Sequence, residues 1–361
     1  MSYYQFHNTR ISAITVAVPK NTLHADDLFR DFDKAEVDGF IGATGFQNVR
    51  RSLDLQTASD LGYAAASRIV IEKNLDVSTI GFVVFISKTP DYRSPATAAV
   101  LQHRLKLSKD CLAYDVNLGG VGFIAGIQLG SSLLKGLNTN LGLVIIGDTN
   151  SKQVDKNDLN LSHLGDGATA ILFEKVEEVH PIQIQMHSEG KEFDKFMIRG
   201  GAFRTNQERM DYELSSDPSE GKFNKLIYDQ SRFNDFYSDK IPQSVFDFLY
   251  KNGSKLSDFN KIYLQQANIS LVHSIAEHLG LNKENIPLNF QKYGDVSGTS
   301  IPLLLIEGRD TLSSESIRIL ACAYGEGFSW GICDFYLDKE AILALIETDE
   351  YYEEGSVNHI I

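Results

Sequence analysis

Short, dense apolar runs alternate along the chain with longer stretches whose apolar positions recur every three or four residues. The first pattern predicts buried strands and the second amphipathic or buried helices. Residues 10–18 (RISAITVAV) alternate enough for a first strand, and Asp26 to Phe32 reads as a short helix. Gly39 to Phe46 reads as a glycine-rich loop ahead of Arg50 and Arg51. Thr57 is placed to cap a helix over 58–73, where Gly62, Ala64, Ala65 and Ala66 allow close packing. Residues 81–87 form an apolar strand. Ser94-Pro95 then opens a helix with proline in its first turn. A strand over 111–117 leads into a helix over 120–135 that is apolar nearly all round and therefore buried. A buried strand over 141–146 and a turn-plus-strand over 165–173 complete a β, α, β, α, β, α, β succession, the signature of a layered α/β fold.

The second half repeats the pattern. Helices near 220–235 and 241–251 precede a strand at 261–266, helices at 270–279 and 297–308, and paired strands at 317–323 and 328–337 around the turn 324–327. Two similar halves point to an internal duplication. The expected organisation is an N-terminal half (1–175), a linker or lid insertion (176–217, closed by Asp217-Pro218), a C-terminal half (218–337) and an acidic tail (338–361). The start of the tail, Ala341 to Ile346, reads as one docked helical segment and the remainder as a mobile, solvated extension.

Composition narrows the function classes. With 361 residues, 43% of them hydrophobic, the chain buries a large core, yet its apolar runs are far too short to span a bilayer. The net charge of −14 argues against nucleic acid and anionic membranes as partners. The N-terminal MSYYQFHNTR has no apolar signal core, so a cytoplasmic location is expected. Cys111, Cys322 and Cys333 are too few and too scattered for a disulfide framework and read as core residues. No histidine cluster points to a metal, and no cofactor is expected. His163 reads as a structural hydrogen-bonding residue.

The stretch Tyr114 to Phe123 carries the candidate chemistry. A strand, a tight turn of small residues and a buried helix together present one residue at the floor of a pocket, as a nucleophile elbow does. Here that residue is Gly120, which has no side chain to react. Asp295 and Glu326, the latter flanked by Gly325 and Gly327, are available as a carboxylate pair for acid–base work, or as solvated or neighbour-paired residues.

Six segments together resemble the β-ketoacyl-acyl-carrier-protein synthase III family over about residues 10–336. They are TG-x₄-RR at Thr44–Arg51, DVNxGGxGF at Asp115–Phe123, GDGATA at 165–170, QQAN at 265–268, YGDVSGTSIP at 293–302 and GEGFSWG at 325–331. The resemblance implies a thiolase-like five-layer αβαβα sandwich of two duplicated halves, dimeric through the strand and helix near 81–117. It also implies a Cys-His-Asn triad, whose positions fall on Gly120, Gln265 and Asp295. With glycine at the nucleophile position no acyl-enzyme forms there. Gln265 donates a hydrogen bond but shuttles no proton near neutral pH, and an ionised Asp295 repels an oxyanion. At the entrance, where the family stacks coenzyme A adenine and docks the carrier protein, Gly39, Ala43 and Ser270 stand beside Arg50. Docking of either partner in the usual form is not supported. Three readings remain open: a non-catalytic subunit in a homodimer or in a heterodimer with an active paralogue, an acyltransferase working by direct transfer from a bound acyl thioester, and a binder of acyl ligands.

Overall fold

Strands that are buried on both faces, such as Ile80–Ile86 and Leu141–Thr149, require helices on both sides of their sheet. The computed structural model supplies them, and describes residues 2–154, 158–177, 179–204, 226–312 and 314–353. In chain order the elements of the first half are β1 (Ser2–Phe6), β2 (Thr9–Pro19), β3 (Thr22–His24), α1 (Ala25–Leu28), α2 (Lys34–Thr44), β4 (Asn48–Arg50), α3 (Ala58–Glu72), β5 (Ile80–Ile86), α4 (Thr97–Arg104), β6 (Leu112–Val116), α5 (Gly122–Gly136), β7 (Leu141–Thr149) and β8 (Asp166–Lys175). There follow β9 (Ile182–Ser188), β10 (Phe196–Ile198), β11 (Leu226–Tyr228), α6 (Gln230–Asn252), β12 (Lys261–Leu264), α7 (Ile269–His278), α8 (Phe290–Tyr293), α9 (Ser300–Gly308), β13 (Ser316–Gly325), β14 (Ser329–Asp338) and β15 (Ile346–Thr348).

Two sheets carry the fold, one ordered β15-β2-β8-β7-β5-β6 and the other β1-β9-β14-β13-β12. Helices α3 and α4 cover the outer face of the first sheet through Leu61, Ala65, Ile69 and Leu101. Helices α6 and α7 cover the second through Phe236, Val245, Phe248 and Ile275. Between the sheets lie α5 and α9, with Phe123, Ile124, Ile127 and Leu304 packed against both inner faces. The result is the expected five-layer αβαβα sandwich. The first and last strands trade places: β1 pairs with β9 in the C-terminal sheet, and β15 pairs with β2 in the N-terminal one.

Several local expectations are corrected. Gly39 to Phe46 is not a loop: residues 34–44 form α2, capped by Asp33 and ended by Gly45 in the left-handed region at φ 71°, which glycine adopts at little cost. Pro95 precedes α4 rather than sitting in its first turn, which begins at Thr97 with Ala96 as N-cap. Of the two helices expected near 220–235 and 241–251, residues 220–225 lie outside the described residues, and the rest is a strand, β11, and one helix, α6, with Pro242 inside it. One continuous stripe of Phe233, Phe236, Tyr237, Ile241, Val245, Phe248 and Leu249 buries that helix across the proline. Ala341 ends a short 3-10 turn (Lys339–Ala341), and Ile342 to Ile346 is extended rather than helical. Ile342 and Leu343 bond along β2 and Ile346 begins β15. The tail is docked as far as Tyr352, whose ring lies over Arg104. Asp217-Pro218 and residues 354–361 lie outside the described residues.

Candidate functional site

The site lies where β5, β6 and β7 end and α5 begins, with the β13–β14 turn and the loop before α9 closing over it. β6 delivers Asn117 to Gly120, and Gly122 N–H closes the turn on Gly119 O at 2.7 Å. The turn at 325–329 comes down on this glycine pair, held by Tyr237, whose hydroxyl donates to Gly325 O at 2.6 Å and Ser329 O at 3.1 Å.

The approach leaves no room for a nucleophile. A Cβ built on Gly120 falls closer than 3.0 Å to the Tyr324 carbonyl oxygen and 3.2 Å from Gly325 Cα. Both obstacles are backbone, which cannot swing aside as a side chain does. Glycine at 120 is therefore a packing requirement of this structure.

The space beside it is filled by an ion pair. Glu326 accepts the Gly120 N–H at 3.2 Å and the Lys88 ammonium at its other oxygen. The side chains of Lys88 and Glu326 are 15% and 21% exposed. Burial acts to raise the Glu326 carboxyl, but Lys88 and the Gly120 N–H outweigh it and hold it below the ordinary carboxylate range. Burial likewise acts to lower the Lys88 ammonium, and Glu326 and Asp148 hold it above its usual value. Glu326 thus occupies the positive end of a 15-residue helix, where an anion is favoured.

Asp148 and Asp295 complete the cluster. Asp148 accepts from Ser87 Oγ at 3.1 Å and Lys88 N–H at 2.9 Å, and burial pushes it up despite Lys88. Asp295 accepts the Ser297 N–H at 2.8 Å. Burial pushes it up to about 7, with Lys88 opposing and Glu326 and Asp148 adding to the rise. Aromatic residues cover the group: Lys88 Nζ lies 4.7 Å from the centroid of Phe196, which packs edge-on to Tyr228 at 5.0 Å. The β10–β11 ribbon is therefore the roof of the site.

Gln265 is buried, and its amide nitrogen donates to the scaffold, to Ser297 O at 2.7 Å and Ser300 Oγ at 3.3 Å, while its buried Oε1 has no partner among the described residues. The structure thus brings Gly120, Gln265, Asp295, Gly325 and Glu326 together. At the entrance, Ser270 Oγ donates to the Ala43 carbonyl, so α2 and α7 meet there, and Gly39 lies exposed one turn earlier on α2. Arg50 is engaged elsewhere, with Pro19 O, Lys20 O and Glu347. Cys111, Cys322 and Cys333 are buried, and burial raises all three thiols, Cys111 to about 11. None supplies a thiolate near neutral pH. His163 packs between Phe40 and Phe290 at 5.8 and 5.5 Å, and its carbonyl accepts the Asp295 N–H at 2.9 Å, a structural role.

Sequence reasoning missed Lys88, Asp148, Phe196 and Tyr228. A lysine directly after a fully apolar strand was the available signal for the first, since strand C-terminal ends are where α/β folds place ligands.

Comparison with known proteins bears on the family and the fold. Residues 114–190 match the family model described as 3-oxoacyl-(acyl-carrier-protein) synthase III, and residues 249–336 match that of its C-terminal part. A Campylobacter jejuni protein provisionally described as 3-oxoacyl-(acyl-carrier-protein) synthase 3 is 30% identical over 341 residues, covering 91% of this chain and 93% of its own. A β-ketoacyl-(acyl-carrier-protein) synthase III of Clostridium perfringens is 28% identical over 327 residues, 90% of this chain and 98% of its own. The crystal structure of a 3-oxoacyl-(acyl-carrier protein) synthase from Burkholderia xenovorans superposes with a TM-score of 0.89 at 27% identity, covering 96% and 99% of the two chains. The duplicated five-layer fold, the elbow at Gly120 and these full-length likenesses converge: the chain belongs to the 3-oxoacyl-(acyl-carrier-protein) synthase III family.

Proposed function

We propose that this synthase III-like protein of acyl-transfer metabolism carries no acyl group on itself and serves as the non-catalytic partner of an active paralogue. One observation carries the reading: the nucleophile position is a glycine wedged under the Tyr324 carbonyl, and the adjoining helix terminus is occupied by Glu326 and Lys88. The sites of the histidine and asparagine are likewise recruited to the scaffold, as Gln265 and Asp295. A protein built this way keeps the shape of the family while its own centre is closed. The test is intact-mass spectrometry of the purified chain with acyl-coenzyme A and acyl-carrier thioesters, with thiol release followed in the same samples. The expected result is neither adduct nor release, together with a heterodimer in sedimentation when a catalytic paralogue is co-expressed. A covalent adduct, or steady turnover by the chain alone, overturns it.

A second reading, direct transfer from a bound thioester to an acceptor, is favoured by Asp295. This carboxylate titrates near neutral beneath the aromatic roof, where a general base would stand. Direct attack needs only positioning, deprotonation and oxyanion stabilisation. Thiol release without an adduct, abolished by Asp295→Asn, would establish it. Release that survives this substitution would sink it.

A further inference from the structure

A cavity of about 200 Å³ opens at the far end of α5 from Gly120, separated from it by a helix about 20 Å long. Its floor is apolar, made by buried Phe6 and Leu134. Its rim carries His7, Lys135 and Lys175, with Thr9 among them, and none of the nine described lining residues is acidic. In a chain of net charge −14, two lysines and no described carboxylate line this cavity. Among the described residues no ion pair involves Lys135 or Lys175. The nearby Glu174 is held by Arg10 at 2.7 Å. Lys135 in the last turn of α5 is explained in part by the helix dipole. That leaves Lys175 on β8, and the hollow between the two, without such a reason.

Two lysines lining a cavity with an apolar floor match a ligand with an anionic head and an aliphatic body. The volume is below that of pockets for drug-sized molecules, which excludes a long chain. We propose that this cavity is a binding site for a small aliphatic carboxylate, its head between Lys135 and Lys175 and its tail against Phe6 and Leu134. The site is independent of the Gly120 cluster and of any role for it.

Calorimetric titration of the full chain tests this with hexanoate, inorganic phosphate and hexylamine as probes. Hexanoate should bind saturably, hexylamine not at all, and phosphate at least ten-fold more weakly than hexanoate. Lys135→Glu with Lys175→Glu should weaken hexanoate at least ten-fold. Both residues are exposed, so the variant should fold, and the milder Lys→Gln pair covers the case in which it does not. Three results would each overturn the proposal: no saturable hexanoate binding, unchanged affinity in the variants, or phosphate bound as tightly as hexanoate.

Discussion

At residue scale, the site is defined by what its backbone and charges forbid. Gly120→Cys would place a Cβ inside the Tyr324 carbonyl. It should therefore cost about 1–3 kcal/mol or more, as overpacking does, and still give no acyl adduct. Urea unfolding and intact mass measure the two halves of that expectation. Glu326→Gln or Lys88→Met strands one charge of a largely buried pair. Removing one partner of a fully buried pair costs about 3–5 kcal/mol, and the partial exposure here should bring the loss to the lower end of that range or below. The double variant Lys88→Met/Glu326→Gln should lose less than the sum of the two single ones, which a double-mutant cycle reads directly. Asp295 adds a pH signature. Its carboxyl sits at about 7 against an ordinary 3.8. Between those values the folded chain holds a proton that the unfolded chain has released, so stability falls as pH rises through the window. Asp295→Asn should therefore be the more stable protein at pH 8, by up to about 4 kcal/mol at 1.36 kcal/mol per pKa unit. The advantage should vanish near pH 4, and melts across that range would show it.

At the scale of elements, the C-terminal strand acts as a clasp on the first half. The Gln56 amide donates to Thr348 O at 3.1 Å and Glu350 O at 3.0 Å. Tyr352 lies 4.5 Å above the Arg104 guanidinium and edge-on to Tyr63 at 5.0 Å. Arg104 is itself bound to Asp60 at 2.9 Å in a buried pair. Tyr352→Ala should cost about 1 kcal/mol or more through the lost ring contacts, and Tyr352→Phe less, since it keeps the ring and loses only the hydroxyl's hydrogen bond with Tyr63, as thermal melts would show. The sequence made the interior strands and α5 legible because their apolar runs admit one reading. It hid α2 because Gly39, Gly42 and Gly45 look like a loop until Asp33 is seen capping the helix. It hid β15 because Ala341, Ile342, Leu343 and Ile346 have helical spacing, and only the open edge of β2 makes residues 342–346 extended. In the site, Gly120, Gln265, Asp295 and Glu326 were legible from local motifs. Lys88 was not, because its partner Glu326 lies at the other end of the chain, nor was Tyr228, whose meaning comes from Phe196 on the neighbouring strand.

At the scale of the whole molecule, the expected dependence on a paralogue would appear as thioester turnover by the co-expressed pair and none by this chain alone, measured as thiol release. The traded edge strands carry a further consequence, for the order in which the protein is made. β1 leaves the ribosome before β9 and β14, the strands its sheet needs, and β15, the outer strand of the N-terminal sheet, follows every other described strand. Neither sheet is complete on a nascent chain, so each emerging half exposes an unpaired strand edge. The two halves, although duplicates in architecture, should mature as a single late event rather than one after the other.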